Sequence, residues 1–185
     1  MAIFRKGPGP HALPLAMLGV RMGERLLWMG GGEPEMFAAV ASKVGLTGRA
    51  AAVSTDETGR RRLEAAAANG GVLVEVETAP ASLPFDDESF DLAVIAGPAR
   101  LVEGLPEAAR SAWFREAFRV LRPGGRALVI ERFGGGKILG VLPAPAGRPP
   151  GAAAAEQALQ AAGFRPVRLL AARDGLQFVE GIRRG

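Results

Sequence analysis

Short apolar runs alternate with amphipathic stretches along the chain. Arg25-Leu26-Leu27-Trp28-Met29 is such a run, and it ends at Gly30-Gly31-Gly32, which predicts a buried strand and then a tight turn. Glu33-Pro34-Glu35 opens a helix through about Val44, because proline suits the first turn and acids suit the positive end of the dipole; Gly45 closes it. Arg49 to Val53 predicts a second strand, and Asp56 begins an Arg/Ala-rich helix that stops at Asn69-Gly70-Gly71. Val72 to Val76 and Phe90 to Ile95 predict the third and fourth strands. From about Pro106 to Leu121, Ala109, Trp113, Ala117 and Val120 recur at helical spacing, and Arg122-Pro123-Gly124-Gly125 breaks the pattern before a fifth strand, Arg126 to Glu131. A helix over Ala152 to Ala162 follows, then two strands, Val167 to Ala171 and Gln177 to Ile182, joined by the hairpin signal Asp174-Gly175.

Five β/α alternations and a closing hairpin imply an α/β fold with a seven-stranded, mostly parallel sheet, one antiparallel strand and helices on both faces. The 185 residues suit a single domain, 1–185, with residues 1–22 as an N-terminal lid or arm and the Gly/Pro-rich stretch 132–151 as a loop. Arg5-Lys6 before the apolar run His11 to Leu18 looks like the start of a signal peptide, but Pro14 and the return of charge at Arg21 argue against one. No apolar run reaches the roughly 18 residues of a membrane span, so the expected location is the cytoplasm.

Composition removes several chemistries. Cysteine is absent and His11 is the only histidine, which excludes thiolate nucleophiles, disulfide scaffolds and His/Cys metal sites; no metal is expected. The net charge of +4 is small and its cations, nearly all Arg, are spread along the chain apart from Arg60-Arg61-Arg62. That distribution argues against nucleic acid as a partner. In an open α/β sheet, ligands bind beyond the carboxyl ends of the strands where the strand order reverses, which places the candidate site at Gly30-Gly31-Gly32.

Two further segments narrow the reading. Leu83-Pro84-Phe85-Asp86-Asp87 leads into the fourth strand, and Leu121-Arg122-Pro123-Gly124-Gly125 leads into the fifth. With the glycine turn upstream, the stretch from Gly23 to Glu131 resembles the class I S-adenosylmethionine-dependent methyltransferases. That resemblance implies a Rossmann-like three-layer sandwich, S-adenosyl-L-methionine as cofactor and a small or medium-sized molecule as methyl acceptor. Carried over by position, it puts Gly30, Gly31 and Gly32 under the cofactor, Ser54 and Thr55 at the ribose, Pro80, Ala81 and Ser82 at the adenine, and Ala96 at the end of the fourth strand.

The chain departs from the family's pattern at its acids. Trp28 stands where an acid usually supports the glycine loop, Ser54 where an acid holds both ribose hydroxyls, and Ala79 where an acid lies near the adenine; Pro34 replaces the loop's third glycine. Each lost anchor costs about 1–3 kcal/mol. The cofactor is therefore expected to bind weakly or not at all, with a dissociation constant on the order of 100 μM or worse, and Ser54→Asp is expected to tighten binding about tenfold. Asp56 reads either as a displaced ribose anchor or as the cap of the following helix. Trp28 reads as core or as an indole facing the adenosine. Ala96-Gly97-Pro98 lacks the Asn/Asp-Pro-Pro-aromatic pattern of amino-group methylation of bases. No catalytic residue is assigned, since methyl transfer to a nucleophilic atom needs mainly alignment; His11 is the only near-neutral proton acceptor. The competing readings are an active methyltransferase, a methyltransferase-like subunit that has lost catalysis and binds a protein partner, and a nicotinamide-dinucleotide enzyme suggested by Gly30-x-Gly32.

Overall fold

The structure, a computed structural model, describes residues 9–79, 82–97, 106–133 and 151–185. Within them, strands β1 (Arg25–Met29), β2 (Arg49–Ser54), β3 (Glu75–Thr78), β4 (Phe90–Ala96), β5 (Leu121–Arg132), β6 (Val167–Arg173) and β7 (Leu176–Ile182) form one sheet in the order β3-β2-β1-β4-β5-β7-β6. Strands β1 to β5 are parallel, and β7 runs antiparallel to both β5 and β6. The order reverses beside β1, as the alternation of elements implies.

Both faces of the sheet are covered, which is why its inner strands read as unbroken apolar runs. Leu27, Met29, Ile95 and Val129 pack under α4 (Glu107–Val120) and α5 (Ala152–Ala161). Leu26, Trp28, Val94, Leu128 and Phe178 pack under α1 (Ala12–Leu18), α2 (Pro34–Ala41) and α3 (Glu57–Asn69).

Three boundaries differ from expectation. Residues 12–18, expected within a lid or arm, form α1 instead; Leu18 is fully buried in the core, so this part of the segment is a packing element. Strand β3 begins at Glu75, not Val72, because parallel pairing starts where Glu75 meets Ala51; Val72 and Val74 pack against the core ahead of it. Strand β5 starts immediately after α4, and its register with β4 shifts between Phe90 and Leu92, absorbing Arg122-Pro123-Gly124-Gly125.

The two segments that flank β4 and β5 act as joints. Arg119 of α4 donates to the carbonyls of Leu83 and Phe85 at 3.1 and 2.8 Å and pairs with Asp87 at 2.7 Å, fixing the Leu-Pro-Phe segment. Asp91 at the start of β4 takes Arg25 at 3.3 Å and also Arg122. Burial pushes the Asp91 carboxyl up, but hydrogen bonds from Arg25 and Arg122 outweigh it and hold its pKa below the ordinary value.

Candidate active site

A cleft of about 620 Å³ opens at the carboxyl ends of β1, β2 and β4. Its lining comprises Gly30, Gly31, Gly32 and Glu33 from the first turn, Thr55 and Asp56 before α3, Thr58, Gly59 and Arg62 from its first turns, Ala96 at the end of β4 and Gly97 after it, and Trp113 from α4. The volume lies within the range of small-molecule and cofactor sites, about 300–1,000 Å³. A second hollow of about 460 Å³ between α4 and α5 touches no strand end.

Close backbone approach shapes the floor. Gly30 has φ +117°, and a Cβ there would stand 2.1 Å from the Ala96 carbonyl oxygen, so only glycine lets β1 turn against β4. A Cβ on Gly31 would lie 2.9 Å from both the Cα of Gly59 and the hydroxyl of Ser54. The glycine turn therefore rests directly on the first turn of α3. Glu33 follows in the left-handed region, φ 57°, and its carboxylate accepts from Arg132 at 2.8 Å, tying the turn to the end of β5. The Arg132 guanidinium holds the Glu33 carboxyl below its ordinary range against the opposing effect of burial.

Gly30, Gly31, Gly32, Thr55 and Ala96 thus meet at one cleft. Ser54 does not join them. It is fully buried, its hydroxyl wedged between Gly31 and Gly59 and accepting the Asp56 N–H at 3.3 Å. The position at the end of β2 is roofed by backbone, so the expected gain from Ser54→Asp does not follow: a carboxylate there would be buried, not presented to a ligand. Ser82 also lies off the cleft lining, with its hydroxyl 3.5 Å from Glu116 on α4. Pro80, Ala81 and Pro98 lie outside the described residues.

The open alternatives resolve locally. Asp56 caps α3, its Oδ1 accepting the Gly59 N–H at 2.8 Å, yet it also lines the cleft, and Oδ2 has no partner among the described residues. Trp28 is core: it is fully buried, stacks at a tilt on Phe37 with centroids 5.6 Å apart, and its indole N–H has no acceptor among the described residues. Ala79 is buried and its N–H bonds the Ser54 carbonyl. Within the arginine run, Arg60 pairs with Glu57 and Glu64 and Arg61 with Glu57, while Arg62 borders the cleft. Sequence reasoning missed Glu33, Thr58, Gly59, Arg62, Gly97 and Trp113 as lining residues. Of these only Gly59 carried a signal, a glycine within a helical pattern, which often marks close approach.

Comparison with known proteins decides the family: the methyltransferase domain family matches residues 27–129, more than half of the chain. The chain belongs to this family. A ubiquinone/menaquinone biosynthesis C-methyltransferase of Escherichia coli (O1:K1 / APEC) is 37% identical over 120 residues, covering 61% of this chain and 44% of the relative. The methyltransferase-domain chain thus spans less than half the length of that curated relative. Among solved structures, an S-adenosylmethionine-dependent methyltransferase from Aquifex aeolicus superposes with TM-score 0.71 at 18% identity, covering 94% of this chain and 89% of that one. The cyclase SpnF superposes with TM-score 0.65 at 19% identity, covering 94% and 79%. At such identities the likeness establishes the Rossmann-like fold, and a cyclase among the neighbours illustrates that fold does not dictate reaction.

Proposed function

We propose that this chain binds S-adenosylmethionine across Gly30 to Gly32 and transfers its methyl group to a small or medium-sized molecule. The observation that carries the reading is the glycine-floored cleft at the ends of β1, β2 and β4, in a chain of the methyltransferase family. The cleft fits such a cofactor in volume and in donor set. The backbone of Gly31 and Gly32 is partly exposed on its floor, and Thr55, Thr58 and the free Oδ2 of Asp56 offer hydroxyl and carboxylate partners beside it. Asp56 then takes over hydroxyl recognition from the roofed position 54. When bound, the cofactor supplies a methyl group activated on a sulfonium. The chain's own part is alignment: Glu33 and Arg132 hold the turn, while Trp113 places apolar surface on the wall and limits water. A carbon acceptor, as in the Escherichia coli relative's name, is the first class to assay.

A second reading, a binding or assembly subunit without catalysis, draws support from the buried, non-acidic Trp28, Ser54 and Ala79. Calorimetric titration with S-adenosylmethionine and its demethylated product separates the two. Binding with a dissociation constant on the order of 100 μM or tighter supports the enzyme. Absence of heat with both ligands favours the subunit.

A further inference from the structure

The rim opposite the cleft carries a different feature. Among the described residues, three large hydrophobic side chains are strongly exposed: Met22 at 80%, Leu46 at 99% and Leu73 at 89%. They precede β1, β2 and β3 in turn, and because these strands are parallel, all three sit at the same end of the sheet. Met22 lies against Gly45, the neighbour of Leu46: a Cβ on Gly45 would be 3.2 Å from the Met22 side chain. The turns are held in shape by backbone bonds, Gly23 N–H to Val44 at 2.8 Å and Arg49 N–H to Glu24 at 3.2 Å. Met22 and Leu46 are therefore presented by fixed turns.

Two cations without side-chain partners accompany them. Arg21 and Lys43 are exposed beside Met22 and Leu46, and neither has a side-chain partner among the described residues. Most acids at this rim are engaged: Glu24 accepts the Arg21 N–H at 2.7 Å and pairs with Arg126 at 3.7 Å, Glu75 pairs with Arg49 at 2.6 Å, Asp87 with Arg119 and Glu88 with Arg183, while Asp86 is exposed without a side-chain partner among the described residues. Free cations beside exposed aliphatic tips complement an anionic surface that is apolar beneath. Side chains on three separate turns fall well short of the roughly 800 Å² per partner that a stable protein pair buries, whereas a bilayer interface takes up isolated points.

We propose that this rim docks on an anionic lipid surface, with Met22, Leu46 and Leu73 entering the headgroup region and Arg21 and Lys43 facing lipid phosphates. Strands of five to six residues then lift the cleft about 17–20 Å above the surface. It opens away from the membrane, toward ligands in water. The inference does not depend on which ligand fills the cleft.

The test is sedimentation of the whole chain with vesicles of phosphatidylglycerol and phosphatidylcholine, against vesicles of phosphatidylcholine alone. The expected result is binding to the anionic vesicles that weakens with salt, falls on the order of tenfold with each of Leu46→Ser and Leu73→Ser, and falls again with Arg21→Ala/Lys43→Ala. Thermal melting checks that these exposed-site variants stay folded. No binding to either vesicle, equal binding to both, or binding unchanged in folded variants overturns the proposal. So does a dimer in sedimentation equilibrium that Leu46→Ser dissolves, which would make the rim an interface between two copies.

Discussion

Replacing Gly59 with alanine tests the contact on which the site is built. In an ordinary helix this change is favourable by about 1 kcal/mol, since glycine is the poorer helix former. Here the new Cβ would stand 2.1 Å from the Ser54 hydroxyl and 3.0 Å from the Cα of Gly31. Overpacking of this kind costs about 1–3 kcal/mol. Swinging the hydroxyl aside also gives up its bond from the Asp56 N–H, worth about 0.5–1.5 kcal/mol. The net expectation for Gly59→Ala is a loss of about 1–3 kcal/mol. In a Ser54→Ala background the 2.1 Å overlap disappears, leaving contacts of 3.0 Å to Gly31 and 3.2 Å to the residue 54 Cβ. The same substitution should then be close to neutral, with a coupling of about 2 kcal/mol between the two positions. Urea unfolding of the four proteins measures the cycle, and the Gly59→Ala single variant should melt roughly 4–8 °C lower. An additive cycle, or a Gly59→Ala variant as stable as the parent, would show that the glycine turn does not rest on α3 as described.

Gly32→Val places a branched side chain in the cleft and should abolish S-adenosylmethionine binding by calorimetry while the melting temperature holds; undiminished binding in a folded variant would move the pocket elsewhere. Ser54→Asp should lower stability by about 1–3 kcal/mol in urea unfolding, because it buries a charge beneath Gly31 and Gly59, and it should not tighten ligand binding; tighter binding with stability intact would reopen position 54. Acid should weaken the fold in a defined direction. The carboxyls of Glu33 and Asp91 are held below their ordinary values of 4.5 and 3.8, so their contribution is present above those values and is lost as pH falls through the lower folded ones. Urea midpoints should therefore drop progressively below about pH 4.5, and the drop should be shallower in Glu33→Gln and Asp91→Asn.

Much of the architecture is written in local pattern. Strands buried on both faces leave continuous apolar runs, so β1, β2, β4 and the core of β5 are visible as Leu26 to Met29, Ala50 to Val53, Leu92 to Ile95 and Ala127 to Ile130. The Asp56 cap is equally local, a side chain bonding a backbone N–H three residues on. What escaped the sequence depends on partners far along the chain. A helix as short as α1 has too few turns to announce itself and exists because Leu18 finds the opposite side of the core. The start of β3 waits on Ala51, and the Glu33–Arg132 pair joins residues 99 positions apart. Position 54 is the sharpest case. Strand alternation says which side of the sheet Ser54 occupies, but its access to the cleft was decided by two glycines on other elements. Because neither Gly31 nor Gly59 has a side chain, their backbones close over the hydroxyl and the polar wall passes to Thr55, Asp56 and Thr58.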